Sequence, residues 1–291
     1  MSPPRTVASA PGVWLRTMSA ISADQAIMGT KNIAVSLIDR RASYLISIFD
    51  GKTGVLRALL DGNAITGYRT AATTALAIDA LAPGGALRVG LIGTGFEAGH
   101  HLEALAAVRP LSRVTVYSPN PASRDRFIAE RPHFGCPVEA APSGETAVLD
   151  VDVVICAARS RDETPIFYAS WLTRDAVVAS IGSTSPDQRE IDVDVIERAH
   201  LIVADMPDEV ANDTGDLLAA REAGVHAGDR IAALADLIAG RIELETLGGL
   251  RLYKSVGSAV QDLAVAAMCV ERAAERGAGT LLSNAVLPVQ K

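Results

Sequence analysis

Several patterns are scarce or missing in this chain, and each absence removes a class of function. Only three cysteines occur, Cys136, Cys156 and Cys269. They are too far apart for a metal-type or redox-type pairing, so they read as buried apolar thiols in a reducing compartment. No apolar run approaches the ~20 residues that a membrane span needs. The start, "MSPPRTVASAPG", has neither the basic opening nor the apolar core of a signal peptide. Basic charge is in deficit, with 27 Lys and Arg against 34 Asp and Glu for a net −7, which argues against a nucleic-acid partner. Of five histidines, His100 and His101 fall in one predicted helix and the others are scattered, so histidine catalysis is not supported. The expectation is a cytoplasmic protein with no membrane partner and no metal. A few placed Arg and Lys residues can still make a local anion site.

At 291 residues there is room for two domains, and 49% hydrophobic content supplies an ample core. From Leu87 onward, strand-like and helix-like runs alternate: "LRVGLIG", "FEAGHHLEALAAV", "RVTVYS", "PASRDRFIAE", then "DVDVVICAA", "DAVVASIG" and "AHLIVAD". Such alternation predicts βαβ units in a doubly wound parallel sheet. Up to about Ile65 the pattern is different. "NIAVSLID" and "SYLISIFDGKTGVLRALLDG" read as antiparallel strands, with "DGKTG" a hairpin signal. "RTAATTALAIDALA" reads as a helix opened by Arg69 and closed before Pro83-Gly84-Gly85. "SAVQDLAVAAMCVERAAERG" reads as an amphipathic helix stopped by Gly277, able to return to the first domain. The predicted fold is therefore α/β: a Rossmann-type domain over 69–257, and a discontinuous α+β substrate and dimerisation domain over 1–68 and 258–291.

"VGLIGTGFEAG" places Gly93-x-Gly95-x-x-Ala98 after a strand and at the mouth of a helix. In that context Gly93 allows a tight turn, Gly95 lets backbone approach a pyrophosphate, and Ala98 keeps helix close to strand. A tight turn without a ligand is the competing reading. The next strand ends in Ser118-Pro119-Asn120, followed by Arg124, where an NAD-preferring protein usually carries Asp or Glu. This favours NADP(H) with NAD(H) still open, and Arg124 reads equally well as a solvated helix residue. The cofactor lining is predicted to include Thr70, Thr94, Phe96, Glu97, Ala157, Ala158, Ser183 and Val256.

Three cations stand out in the first domain: Arg5, Lys31 and Arg69. Lys31 lies in an apolar strand-like stretch, and Arg69 sits where the helix dipole disfavours positive charge. Both placements make sense if an anionic substrate group lies between them. A surface arginine or a snorkelling lysine is the alternative. In "VVASIGSTSPDQREID" a buried strand ends in Gly182, Ser183 and Thr184, at the edge where reactive groups usually stand.

The segments "PPRTV", "GTKNIAV", "LLDGNAITGYRTAATTALA", "GLIGTGFEAG", "VVASIGSTSPDQREID", "TGDLL" and "LYKSVGSAVQD", in this order, resemble the ornithine cyclodeaminase/mu-crystallin family over nearly the whole chain. "TGYRTAA" and "YKSVGSAVQD" are the most specific of them. The resemblance implies a homodimer of two-domain subunits, with an amino or imino acid in the cleft between the domains. Its carboxylate is held by arginines matching Arg5 and Arg69, and a lysine matching Lys31 faces the reacting centre. Met18 and Gly257 join this substrate set, with Val256 and Val260 placed to pack on the cofactor ring. One family branch keeps NAD bound and cyclises ornithine with loss of ammonia, using an aspartate after the strand that ends in "IG". The other branch uses NAD(P)H to reduce ketimines or to interconvert amino acids with imino or keto acids.

Thr184 occupies the aspartate position, and a hydroxyl is no general base at neutral pH without a partner. The reading is a reductase of cyclic or open-chain α-imino acids, with Lys31, Arg69 and Thr184 as catalytic residues. The alternatives are a cyclodeaminase and a non-catalytic mu-crystallin-like binding protein. Asp216 in "TGDLL" is read as a helix-start or structural carboxylate. Family members usually carry several tens of residues before the arginine matching Arg5, so either part of the first domain is absent or the start is assigned late. Ser19 also follows Met18 where the family has proline.

Overall fold

The computed structural model describes residues 1–131, 134–244, 248–282, 286 and 288–289. In chain order its first elements are β1 (Thr6–Ala10), β2 (Val13–Ser22), β3 (Ile27–Ser36), β4 (Arg41–Asp50), β5 (Leu56–Asp61), α1 (Asn63–Leu81), β6 (Leu87–Ile92), α2 (Phe96–Val108), β7 (Leu111–Tyr117), α3 (Pro121–Ala129) and β8 (Val138–Ala140). There follow α4 (Gly144–Ala147), β9 (Val153–Cys156), β10 (Val177–Ser180), α5 (Val193–Arg198), β11 (Ala199–Ala204), α6 (Pro207–Asp213), α7 (Gly215–Glu222), β12 (Ile231–Ala233), α8 (Leu234–Ile238), β13 (Leu250–Lys254) and α9 (Ala259–Glu275). The chain divides into two compact units, Met1–Thr70 with Gly257–Lys291, and Ala71–Val256.

The first unit is a five-stranded sheet in the order β1-β2-β3-β4-β5, with every neighbouring pair antiparallel. The β4–β5 turn is held by Asp50, whose Oδ1 accepts from the backbone N–H groups of Lys52 and Thr53. Alternation sends Ile27, Gly29, Lys31 and Ile33 of β3 to the buried face. On that face α9 lies against β2, β3 and β4. Met18, Ala20, Ile27, Ile46, Ile48, Ile65, Ala259, Leu263 and Ala266 form the apolar core. The capping box of Ser258 and Gln261 starts α9, and its buried stripe is Ala259, Asp262, Leu263 and Ala266.

The second unit is an eight-stranded sheet in the order β12-β11-β13-β10-β9-β6-β7-β8, parallel throughout. Its central strands β9 and β10 are nearly continuous apolar runs because both faces are covered. Val153–Cys156 and Val177–Ser180 are buried at every position. Side chains alternate between two cores, one holding Val154, Val178 and Ile202, the other Val153, Val177 and Leu201. The strand order reverses between β6 and β9, the switch point where open α/β sheets bind ligands at the carboxyl ends of strands.

Two local expectations change. Arg69 does not open a helix: α1 begins at Asn63, so Arg69 lies in its second turn, where the first-turn dipole penalty does not apply. The stretch from Thr6 to Ser22, which carries no clear strand signal, forms the β1–β2 hairpin around Pro11-Gly12.

Candidate functional site

In the second unit, β6 runs into Gly93, whose φ of +122° is one that side-chain-bearing residues rarely adopt. A Cβ at Gly93 would stand 2.6 Å from the Ala157 carbonyl oxygen, so the turn is packed against the end of β9. Gly95 is the N-cap of α2 with no side-chain cap, and nothing lies within 4 Å of where its Cβ would be. Open backbone N–H groups at a helix start fit a pyrophosphate, and Ala98, fully buried, lets α2 pack closely on the sheet. Thr94 lies in this turn. Phe96 is exposed and stacks on His100 with ring centroids 4.2 Å apart. Glu97 places Oε2 3.8 Å from His101 Nδ1, and His101 Nε2 meets Thr74 Oγ1 at 3.1 Å.

At the end of β7, Arg124 Nη1 donates to the Ser118 carbonyl at 2.6 Å, and its guanidinium lies 5.7 Å from the Tyr117 ring. Asn120 caps α3. No carboxylate stands in Ser118-Pro119-Asn120. At the end of β9, the Ala158 N–H donates to Glu190 Oε1 at 3.3 Å.

The loop after β10 folds on itself. Ser183 Oγ donates to the Gln188 carbonyl at 2.6 Å, and Thr184 donates its N–H and hydroxyl to Gln188 Oε1 at 2.9 and 3.3 Å. Asp187 turns away, accepting from Ser185 Oγ at 2.7 Å in an exposed setting. Beneath the loop is a buried charge cluster absent from the sequence reading. Lys254 Nζ donates to Ser180 Oγ at 2.9 Å and the Ser183 carbonyl at 3.0 Å, and pairs with Asp216 Oδ2 at 3.1 Å. Burial pushes the Glu190 carboxyl up to about 7, against the pull of Lys254 and of the hydrogen bonds from Ser180 and Gly182. Burial also raises the Cys156 thiol well above its ordinary range, which removes it as a nucleophile. Asp205 accepts from Ser255 Oγ at 2.7 Å and the Val256 N–H at 3.0 Å, fixing the chain just after β13.

In the first unit, Lys31, 1% exposed, donates Nζ to Asp262 Oδ1 at 2.9 Å. Arg69 Nε reaches the same oxygen at 2.9 Å, and its Nη1 donates to Gln261 Oε1 at 3.2 Å. The anion between these cations is therefore the chain's own Asp262. Asp262 Oδ2 is buried without a hydrogen-bond partner among the described residues. Gly257, at φ +78°, has no Cβ because the Arg69 guanidinium occupies that space. Its close approach thus serves Arg69. Arg5 Nη2 donates to the Gly257 carbonyl at 3.5 Å. Met18 is the cross-strand partner of Lys31 and lies in the core.

Arg5, Lys31, Arg69 and Gly257 of the expected substrate set are thus brought together, along with Gln261 and Asp262, which were missed. Thr70 lies one turn after Thr66 in α1 and donates its hydroxyl to the Thr66 carbonyl at 2.7 Å. Among the described residues, no helix is long and apolar enough to cross a membrane, and no group of three or more His, Cys, Asp or Glu is arranged to hold a metal ion.

The model of the ornithine cyclodeaminase/mu-crystallin family matches residues 1–277. Delta(1)-pyrroline-2-carboxylate reductase 2 of Burkholderia ambifaria is 37% identical over 220 residues, covering 75% of this chain and 67% of that protein. The Delta(1)-pyrroline-2-carboxylate/Delta(1)-piperideine-2-carboxylate reductase of Azospirillum brasilense is 35% identical over 235 residues, covering 80% and 71%. The structure of Thermococcus litoralis Delta(1)-pyrroline-2-carboxylate reductase, in complex with NADH and L-proline, superposes with a TM-score of 0.89 at 27% identity, covering 97% of this chain and 89% of that one.

Proposed function

Because this chain belongs to the ornithine cyclodeaminase/mu-crystallin family, we propose that it is an NAD(P)H-dependent reductase of α-imino acids, also able to run the reverse oxidation. Its named relatives place it in the ketimine reductase branch. The observation that carries the reading for this chain is the gathering of Lys31, Arg69 and Arg5 around Asp262 and Gly257. Two buried cations share one carboxylate oxygen, and Arg5 is held close by through Gly257. Guanidinium and ammonium groups gathered in this way fit the carboxylate of an imino acid substrate.

When bound, the dihydronicotinamide supplies a hydride, and the protein supplies position and a proton. The Gly93 turn, Gly95 and the first N–H groups of α2 would hold the pyrophosphate. Arg124 would lie on the ribose side, and without a carboxylate on that edge NADPH would be the better cofactor and NADH an accepted one. Arg69 and Arg5 hold the substrate carboxylate. Lys31 donates a proton to the imine nitrogen as the adjacent carbon takes the hydride, giving the amino acid. Thr184 orients and has no base function. The protein acts as a homodimer, a reading supported by Val13, Leu15, Leu45 and Leu59 exposed on the outer face of the first unit's sheet.

The test follows NAD(P)H absorbance with Δ1-pyrroline-2-carboxylate, Δ1-piperideine-2-carboxylate and pyruvate plus an amine. Oxidation of NADPH by at least one cyclic imine is expected, with Lys31→Met abolishing turnover while NADPH still binds. Ammonia released from ornithine without added reductant would refute the reading, and so would near-normal rates in the Lys31→Met enzyme.

A further inference from the structure

We propose that Glu190 is a positioning residue for the cofactor: its carboxylate ties together the Ala157–Ala158 turn and the Gly182–Thr184 loop on which the dinucleotide mouth is built. This rests on the dinucleotide reading of the Gly93 turn. Gly93 packs against Ala157 and Ala158, and the Ala158 N–H is held by Glu190 Oε1. Glu190 Oε2 accepts from Ser180 Oγ at 2.6 Å and from the Gly182 N–H at 2.9 Å. One side chain thus joins the carboxyl ends of β9 and β10. Its own segment is anchored from a third direction. Asp216 Oδ1 accepts from the N–H groups of Glu190 and Ile191 at 2.9 and 3.2 Å, while Asp216 is paired with Lys254 at the end of β13.

The chemistry requires an ionised carboxylate. All three contacts to Glu190 come from donors, so each oxygen must accept. A neutral glutamine turns an NH2 group toward a donor and loses at least one of the three links. Protonation has the same consequence, because the acid hydrogen must sit among N–H and O–H groups. The other charged or titratable groups around Glu190 are Lys254 on β13, Asp216 on α7, Cys156 on β9 and its neighbour Arg189, which reaches Asp216 at 3.4 Å. Arg159 and Glu163 face the same loop through the Gly182 carbonyl and the Arg189 N–H. With Glu190 balanced near neutrality by burial, a mouth that is competent only when Glu190 is ionised weakens about tenfold for the cofactor between pH 8 and pH 6.

The probe is NADH, whose pyrophosphate stays ionised across this range, titrated by its fluorescence without substrate. Wild-type protein is expected to show the tenfold rise in Kd from pH 8 to pH 6. Glu190→Gln is expected to bind weakly and with a flat pH profile. Ser180→Ala keeps the carboxylate but removes one donor to it, and is expected to shift the binding midpoint to higher pH. Hydrogen exchange at the Ala158 and Gly182 amides of the cofactor-free protein is expected to quicken in both variants. NADH binding by Glu190→Gln that matches wild type at pH 8 and pH 6 overturns the proposal. So does unchanged exchange at those amides. Failure of wild-type protein to bind either dinucleotide at any pH instead overturns the underlying cofactor reading and the proposal with it.

Discussion

Replacing Asp262 by asparagine removes the single negative charge shared by Lys31 and Arg69 while keeping an oxygen acceptor of nearly the same shape. Asp262 is fully buried and Lys31 almost so, each cation being 2.9 Å from Oδ1. At an effective dielectric of ~20, a charge pair at that distance is worth roughly 6 kcal/mol of attraction, most of which offsets the desolvation of the ions. Breaking a buried pair typically costs about 3–5 kcal/mol, because the remaining charge keeps its desolvation penalty and loses its partner. Asparagine retains two weaker hydrogen bonds, so the lower half of that range applies, about 3–4 kcal/mol. Lys31→Met is the milder change, about 1 kcal/mol, since Asp262 keeps Arg69 and the methionine packs against the core.

The assay is guanidinium unfolding of wild type, both single variants and the double variant. Once Lys31 is gone, the Asp262→Asn change leaves no buried ammonium unpaired. The double variant is therefore expected to be about 2 kcal/mol more stable than the sum of the singles predicts. A cost below about 1 kcal/mol for Asp262→Asn, or strict additivity in the cycle, would refute the account of this cluster as a mutually dependent buried charge network.

Three further outcomes follow from the geometry. Gly93→Ala places a Cβ 2.6 Å from the Ala157 carbonyl at a φ of +122°, so NADH affinity is expected to fall at least tenfold with the first unit's stability unchanged, as read by fluorescence titration and denaturation. Arg124→Glu puts a carboxylate at the end of β7 and is expected to lower the preference for NADPH over NADH by at least tenfold in KM; an unchanged ratio removes Arg124 from cofactor choice. Glu190 binds its proton more tightly in the folded chain than its ordinary 4.5, up to about 7. Its contribution is therefore full below pH 4.5 and is lost as pH rises through about 7, a change of about 3 kcal/mol at most. Comparing unfolding at pH 5 and pH 8 in wild type and Glu190→Gln isolates it: the variant is expected to lose that part of the pH dependence.

What the sequence made legible and what it concealed divide along physical lines. Strands of the parallel sheet are covered on both faces, so runs such as "VVIC" and "VVAS" stand out without any partner information. The β1–β2 hairpin did not stand out, because β1 is exposed throughout and is built from Thr, Val, Ala and Ser with no apolar alternation. The start of α1 was misplaced because the helix was read from Arg69, yet it begins at Asn63 and Ile65 is already buried in the core. The cations of the first unit were visible as oddities, but their partner was not, since Asp262 is 231 residues from Lys31 and 193 from Arg69. One signal was available. Asp262 lies on the buried stripe of α9, spaced with Ala259, Leu263 and Ala266, and an acid on an apolar stripe demands a cation. Glu190 and Lys254 carried no such signal, because their segments have no periodicity to violate.

By the family resemblance Thr184 stands where the two chemistries part, and the carboxylates around it bear on that reading. The resemblance implies that the ammonia-releasing branch uses a carboxylate at this loop for the substrate's amines. Asp187 is fastened to Ser185 at the surface. Glu190 is filled by three donors, and Asp216 is occupied by Lys254 and by backbone N–H groups. Neither carboxylate can turn toward a ligand without leaving Lys254 or several N–H groups unpaired in the interior, at about 1–3 kcal/mol for each abandoned group. On the proposed reading the loop therefore offers a substrate the hydroxyl of Thr184, while Asp187, Glu190 and Asp216 are engaged by the partners given above. On that reading, a second amine would find no counter-charge from the Thr184 hydroxyl, whereas reduction of a ketimine needs no base at that position.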